Sequence, residues 1–292
     1  MRGRIIKGIA GFYYVFADDG LTYECKAKGV FRKDGLKPLV GDRVSIDILN
    51  GEECTGNIRE LLKRDNEFIR PAVANVDQAL IVFALNNPEP DHLLLDKLLL
   101  QFKKQGLPII ICFNKEDLGG PGDVSAVEEI YKNCGAELLF TCAVKGQGID
   151  RLKELLKGKL SFVAGPSGAG KSSLINCLQD RVNTETGDIS RKLKRGKHTT
   201  RHSEIIPMEE NTFIMDTPGF GRMDVFLEDE WELKEYYDEF FPYENCRFKP
   251  CSHTHEPDCG VKDALSRGLI SGVRYDNYTL IFSELKESRK RF

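Results

Sequence analysis

The sequence predicts an α/β chain. A small all-β barrel comes first, then a mostly parallel sheet covered by helices, then a short helical end in which metal-binding side chains cluster. Three observations predict this. The first 70 residues hold five short β-type runs, the chain from Asn75 onward alternates apolar strand runs with helical patterns, and three cysteines crowd around a histidine within residues 246–259. At 292 residues, with domains of roughly 100–200 residues as the norm, the chain has room for one large domain or two to three small ones.

Residues 1–70 read RIIKGIAG, FYYVFAD, LTYECKAKG, DRVSIDIL and GNIRELLKR, separated by the turn signals DDG, KDG and NGEE. Strands of that length with no long helical pattern between them fit a five-stranded Greek-key barrel of the OB type, and an SH3-like barrel fits nearly as well. Arg70-Pro71 closes the segment.

Residues 71–226 form the second part. QALIVFAL (78–85) is an apolar run of buried-strand length, and DHLLLDKLLLQFKKQG (91–106) has helical spacing with Gly106 placed as a C-cap. Strand LPIIICFNK, helix VSAVEEIYKNC, strand AELLFTCA, helix IDRLKELLKG, strand LSFVAGPSG and helix KSSLINCLQ follow. Such a βα repeat implies a parallel sheet with helices on both faces. EIIPMEENTFIMDTPG then reads as two strands joined by a tight EEN turn, the second ending on Asp216.

Residues 227–292 read as a helical module with an irregular Cys/His insert and a final amphipathic stretch, DNYTLIFSELKES, before the basic tail Arg289-Lys290-Arg291. The module is too short for a large core of its own, so a metal staple suits it.

Charged residues make up 30% and hydrophobic ones 41%, with a net charge of −3, a globular rather than disordered or membrane composition. No run approaches the roughly 18 apolar residues of a membrane span, and MRGRIIKGIA lacks a signal-peptide core, which predicts a cytoplasmic protein with no membrane partner. Of nine cysteines, Cys25, Cys54, Cys112, Cys134 and Cys177 stand singly, as reduced thiols do. The segment SRKLKRGKHTTRH (190–202) is nearly half Lys and Arg, a local patch able to meet nucleic acid despite the mild net charge.

The loop Gly165-Pro166-Ser167-Gly168-Ala169-Gly170-Lys171-Ser172-Ser173 has two glycines suitably spaced before Lys-Ser, follows a strand and opens a helix. Glycines let backbone N–H groups turn inward on a β-phosphate, the helix N-terminus adds its positive end, Lys171 reaches β and γ oxygens, and Ser172 ligates magnesium. Asn114-Lys115-Glu116-Asp117 ends the apolar strand LPIIICF. There the Asp117 carboxylate can accept from guanine N1–H and its 2-amino group, while Asn114 meets N7 and holds neighbouring loops. Adenine lacks that pair of donors, so such a site discriminates. Cys142 and Ala143 follow Thr141 at the end of the next strand, where a backbone N–H can meet the guanine carbonyl. Asp216-Thr-Pro-Gly219 ends the last strand; Asp216 can hold magnesium through water and the Gly219 N–H can meet the γ-phosphate.

The order NKED, TCA, GPSGAGKSS, GKHTT, DTPG is circularly permuted, since ordinary small GTPases put the phosphate loop first. All these loops lie at the C-terminal edge of one parallel sheet, so moving the chain ends preserves their geometry. With a barrel before it and a Cys/His module after it, the sequence resembles the RsgA family (also called YjeQ or YloQ) over essentially its whole length. The resemblance implies a circularly permuted P-loop GTPase domain with an N-terminal OB-type β-barrel and a C-terminal helical zinc-binding module. It further implies GTP hydrolysis to GDP stimulated by the small ribosomal subunit, late maturation of that 30S particle, and 16S rRNA contacts from barrel and zinc module. A monomer is expected.

Cys246, Cys251 and Cys259 supply three thiolates, and CSHTHEPDC offers His253 or His255 as the fourth ligand of a closed tetrahedral site. The family's Cys-Cys-His-Cys pattern favours His253. A guanylate-type kinase is the main rival for the phosphate loop, but NKED upstream argues against it. Many GTPases place a Gln after the DxxG glycine to orient the attacking water; here Phe220 stands there, and missing groups of this kind are worth on the order of 10³–10⁵ in rate. His198 in GKHTT is the expected water-positioning residue, with Thr199 or Thr200 meeting magnesium and γ-phosphate when the switch segment at about 186–202 orders.

Overall fold

The computed structural model describes residues 1–27, 31, 37–69, 72–186, 204–216 and 227–289. His198, Thr199, Thr200, Gly219 and the Lys290-Arg291 tail lie outside them, as does the switch segment beyond Thr186.

Strands β1 (Arg2–Ile9), β2 (Phe12–Ala17), β3 (Thr22–Ala27), β4 (Arg43–Asn50) and β5 (Thr55–Leu61) close a barrel in the order β1-β2-β3-β5-β4. The parallel pairing of β3 with β5, among otherwise antiparallel neighbours, gives the Greek-key OB arrangement over the SH3-like alternative. Inward positions alternate as the pleat requires, so Val15, Ala17, Tyr23, Cys25, Val44, Ile46 and Ile58 fill the interior. A short ribbon of β6 (Glu67–Ile69) and β7 (Ala72–Ala74) follows, which the sequence patterns do not reveal.

The second sheet runs β10-β9-β8-β11-β13-β12, from β8 (Gln78–Ala84), β9 (Ile109–Asn114), β10 (Glu137–Thr141), β11 (Leu160–Ala164), β12 (Glu204–Pro207) and β13 (Phe213–Asp216). β10 with β9, β9 with β8 and β11 with β13 pair parallel, and β12 pairs antiparallel with β13. β8, β9 and β11 are buried along their whole length, as strands covered on both faces must be. The helices are α1 (His92–Lys104), α2 (Pro121–Tyr131), α3 (Ile149–Leu156) and α4 (Lys171–Thr186). Asp91 caps α1 through the Leu94 N–H, and Gly106, at φ +67°, takes the left-handed position just beyond it.

Two compact units result. One holds residues 1–78, 153–163 and 178–218, the other residues 79–152, 164–177 and 219–292. Within the first, the barrel meets the β12–β13 hairpin: Lys7 pairs with Glu204 at 3.2 Å, the Arg4 guanidinium lies over the Phe213 ring, and Phe16 meets the same ring edge-on.

Within the second unit, residues 227–289 add 3-10 turns at Glu230–Tyr236 and Asp238–Tyr243, then α5 (Gly260–Ser266) and α6 (Gly272–Arg289). Their core of Leu233, Tyr237, Phe240, Val261, Tyr278, Ile281 and Phe282 includes Leu100 of α1. At its centre Arg274 donates to Glu239 at 2.7 Å and to Asp96 of α1, and Asn277 donates to the other Asp96 oxygen at 2.8 Å. Burial pushes the Asp96 carboxyl up, and the donors from Arg274 and Asn277 oppose that push, which is how a buried charge becomes tolerable.

Candidate functional site

Parallel pairing sets the strand ends level. Ala84 faces Asn114, and Asn114 faces Thr141, so the loops after β8, β9 and β10 emerge along one edge. Asn114, 2% exposed, ties the corner after β9 to the one after β10 and to the glycine loop after β11. Its Nδ2 donates to Ala169 O at 3.1 Å in the glycine loop, while its Oδ1 accepts from Thr141 Oγ1 and from the Ala143 N–H, each at 3.2 Å.

Lys115 turns the chain, with φ +63°, and its Nζ donates to Asn87 O at 2.6 Å. That turn leaves Asp117 exposed at the edge. The Cys142 thiol donates to Asp117 Oδ1 at 3.1 Å, and Gln147 Nε2 donates to Glu116 Oε2 at 3.0 Å. The Cys142 N–H bonds Gln147 O, so the loop 142–147 is clasped to NKED at both ends. Gln147 was not among the expected residues; only its place between Gly146 and Gly148 marked it.

The glycine loop leaves β11 through Gly165 at φ +136°, where a Cβ would lie 2.0 Å from Val82 O. Gly170, at φ +90°, lies so close to the Asn114 amide that a Cβ would sit 2.3 Å from its Nδ2. Both positions therefore demand glycine on two counts, a left-handed backbone and close approach. Lys171, the first residue of α4, folds its amine onto the loop's own carbonyls, at 2.8 Å from Gly165 O and 2.7 Å from Pro166 O. Ser167, Ser172 and Ser173 are exposed along the loop and first turn, and Ala169 is buried beneath it. Asp216 ends β13, its backbone level with Val163 and Glu204.

The second cluster lies in the C-terminal module. Cys246, Cys251, His253 and Cys259 are all buried, and one donor atom from each lies within 4.8 Å of every other. His255 is exposed and outside the group, so the choice left open by CSHTHEPDC falls on His253. A tetrahedral zinc ion with bonds of about 2.3 Å to sulfur and about 2.0 Å to nitrogen requires sulfur–sulfur edges of about 3.8 Å and sulfur–nitrogen edges of about 3.5 Å. The Cys246 and Cys259 sulfurs are 3.7 Å apart, and His253 Nδ1 is 3.5 and 3.4 Å from them. The donor set fits. Burial pushes the Cys251 thiol up to about 12; a cation among the sulfurs would favour their thiolates instead.

The loop that carries these ligands is held by its own hydrogen bonds. Glu256 accepts from the Ser252 and Thr254 N–H groups and from Ser252 Oγ; against burial, those bonds hold its carboxyl down to about 2. Tyr275 Oη donates to His253 O at 2.6 Å and Tyr278 Oη to Ser252 O at 2.7 Å, anchoring the loop on α6.

A phosphate loop after β11, a guanine-type motif after β9 and the strand order of this sheet define the class, a circularly permuted P-loop GTPase. The family model described as RsgA GTPase matches residues 61–226, and that described as RsgA N-terminal domain matches residues 2–55. The chain is 54% identical to the small ribosomal subunit biogenesis GTPase RsgA of Agathobacter rectalis, over 99% of this chain and 100% of that protein. It is 45% identical to the protein of the same name from Caldanaerobacter subterraneus, over 100% and 98%. The crystal structure of YjeQ from Thermotoga maritima superposes with a TM-score of 0.81 at 36% identity, covering 97% of this chain and 98% of that one. YloQ, a circularly permuted GTPase, gives 0.78 at 32%, covering 98% and 95%. The chain belongs to the RsgA family, and it is a GTP hydrolase.

Proposed function

We propose that this GTPase acts in late maturation of the small ribosomal subunit, that the subunit stimulates its hydrolysis, and that barrel and zinc module meet 16S rRNA. The observation that carries the nucleotide part is Asn114, whose one side chain fastens the glycine loop to the guanine-type corner. A nucleotide bound there spans two loops already fixed to each other, which is the preorganisation that charge stabilisation needs. The relatives' shared name supports the ribosomal part.

In this reading Asp117 accepts from guanine N1–H and the 2-amino group, with Cys142 steadying its other oxygen. Asn114 meets N7, Ala143 presents its N–H to the guanine carbonyl, and Lys115 and Glu116 frame the base. The backbone N–H groups of the loop Gly165 to Ser173, all but that of Pro166, which has none, wrap the β-phosphate. Lys171 exchanges its two carbonyl partners for β and γ oxygens, a stronger, charge-assisted pairing. Ser172 and Asp216 would hold the magnesium ion, which neutralises charge on the β and γ oxygens. The Gly219 N–H meets the γ-phosphate, Thr199 or Thr200 meets γ-phosphate and metal, and His198 orients the water that attacks it. The bond from γ-phosphorus to the bridging oxygen breaks, leaving GDP and phosphate.

Zinc at Cys246, Cys251, His253 and Cys259 serves structure, since four protein ligands leave no open position. Cytoplasmic location and a monomeric state complete the proposal. The test is GTP turnover of the full chain with and without small subunits. Faster turnover with subunits, lost in His198→Ala at unchanged GTP affinity, is expected; no stimulation removes the ribosomal claim, and full stimulation of His198→Ala removes the role of that residue.

A further inference from the structure

His253 has two ring nitrogens, and the ligand set accounts for one. Nδ1 faces the sulfurs of Cys246 and Cys259, at 3.5 and 3.4 Å. Nε2 points away from them, buried and without a hydrogen-bond partner among the described residues. An imidazole that binds metal through Nδ1 carries its proton on Nε2. That N–H is a donor inside the protein and wants an acceptor.

One carboxylate is placed to supply it. Glu244 Oε1 stands 3.7 Å from Nε2, just beyond hydrogen-bond length, and the Glu244 side chain is 34% exposed. Glu244 directly follows the second 3-10 turn as its C-cap and lies two residues before the ligand Cys246. Other groups around the ring are differently placed: Glu256 is committed to Ser252 and Thr254, Lys234 is a cation, and the Phe240 ring meets the imidazole edge-on at 5.9 Å. His253 itself sits at φ +59°, a left-handed backbone that side-chain and backbone partners must hold in place.

We propose that Glu244 is the outer-sphere partner of the metal site: its carboxylate accepts the Nε2–H of His253, fixes the tautomer that ligates through Nδ1, and makes that nitrogen a better donor to the metal. Closing the 3.7 Å separation to a bond of about 3 Å needs only a rotamer adjustment of a partly exposed side chain. Glu244 touches no metal and no substrate; it is a positioning residue. The inference rests on the zinc reading of the cluster.

The experiment uses full-length zinc-loaded protein, selectively labelled with 15N-histidine, in wild type, Glu244→Gln and Glu244→Ala. Zinc loss to an excess of chromogenic chelator is timed, and the His253 Nε2–H resonance is followed in the same samples. Outer-shell partners of this kind typically change metal affinity by about 10–100-fold. Glu244→Ala is therefore expected to release zinc about tenfold faster or more. Glu244→Gln, which keeps an acceptor oxygen without the charge, falls between it and wild type. The Nε2–H signal, slow to exchange in wild type, should shift and exchange faster in Glu244→Ala. GTP turnover without subunits stays constant across the three, which separates the effect from misfolding. Zinc release within twofold of wild type in Glu244→Ala, or an Nε2–H signal unchanged by it, overturns the role of Glu244. Wild-type protein that binds well under one zinc per chain overturns the metal reading instead.

Discussion

The barrel and the C-terminal module are of similar length and are held by opposite means. In residues 2–61 each strand has a partner on both sides and the inward side chains form one core, so the ladders and the apolar core of the barrel lie within it. Residues 227–289 have two 3-10 turns, a seven-residue helix and one longer helix. They gather around a Cys3His cluster able to hold a metal ion and around Arg274, whose partner Asp96 lies 178 positions away in α1. A closed barrel satisfies its own backbone, whereas short turns leave groups that something else must satisfy.

Removing the metal should give the largest difference between the two. Structural zinc contributes on the order of 10 kcal/mol or more in small zinc modules. Stripping it with a chelator, or substituting Cys251→Ser, should abolish amide-exchange protection across residues 246–289 and leave that of β1 to β5 as it was. Hydrogen-exchange mass spectrometry reads both regions in one sample. Loss of barrel protection at the same time would break the comparison, because the module's metal would then be supporting the whole chain.

Arg274→Met comes next. Arg274 is 1% exposed, and its removal leaves two buried carboxylates facing each other, a change that costs about 3–5 kcal/mol. Urea denaturation should show a lower midpoint, with α1 and α6 losing protection first, since the cation joins them. A midpoint within error of wild type would show that the apolar core around Leu100 and Tyr278 holds the module without the charges.

These two regions also differ in how far the sequence reveals them. The barrel follows from local signals, because each strand's alternation and each turn's Gly or Asp acts over a few residues; RIIKGIAG and DRVSIDIL become β1 and β4 nearly residue for residue. Its OB order did not follow, since pairing β3 with β5 is a long-range choice. The glycine loop and NKED were readable because their chemistry requires those residues at that spacing. Asn114's contact with Ala169 was readable only as loop-holding in general. Arg274 with Asp96 left no sequence signal, as each sits in an ordinary helical pattern and neither position refers to the other. Gln147's clasp on Glu116 was hidden for the same reason. The β6–β7 ribbon was too short for any period to register.

A smaller effect is expected in the barrel itself. Asp42 is fully buried, accepts two hydrogen bonds from Arg64 at 2.7 Å each and a third from the Leu39 N–H. Asp42→Ala leaves that donor group partly unpaired, but Arg64 reaches water and keeps Glu67, so the loss is about 1–3 kcal/mol. The change should show as a modest drop in urea midpoint, with exchange quickening in residues 37–67 and α6 unaffected. A loss as large as that of Arg274→Met would mean the barrel leans on a single buried ion pair after all.

The finest contrast uses one hydroxyl from each region. Tyr278 is 1% exposed, and its Oη reaches the Ser252 carbonyl at 2.7 Å, next to the ligand His253. Tyr14 lies on the barrel surface, its Oη 3.0 Å from Glu24. In Tyr278→Phe the ring still packs against Tyr237 and Phe240, while a buried carbonyl loses its donor, a loss of about 1 kcal/mol. In Tyr14→Phe water takes the hydroxyl's place on the exposed Glu24 carboxylate, and stability should not move. Since Ser252 precedes a metal ligand, the first substitution should also quicken zinc release, whereas the second should leave it alone. Equal effects from the two hydroxyls would mean that the zinc loop is as well hydrated as the barrel face, and that α6 holds it by its rings rather than by hydrogen bonds.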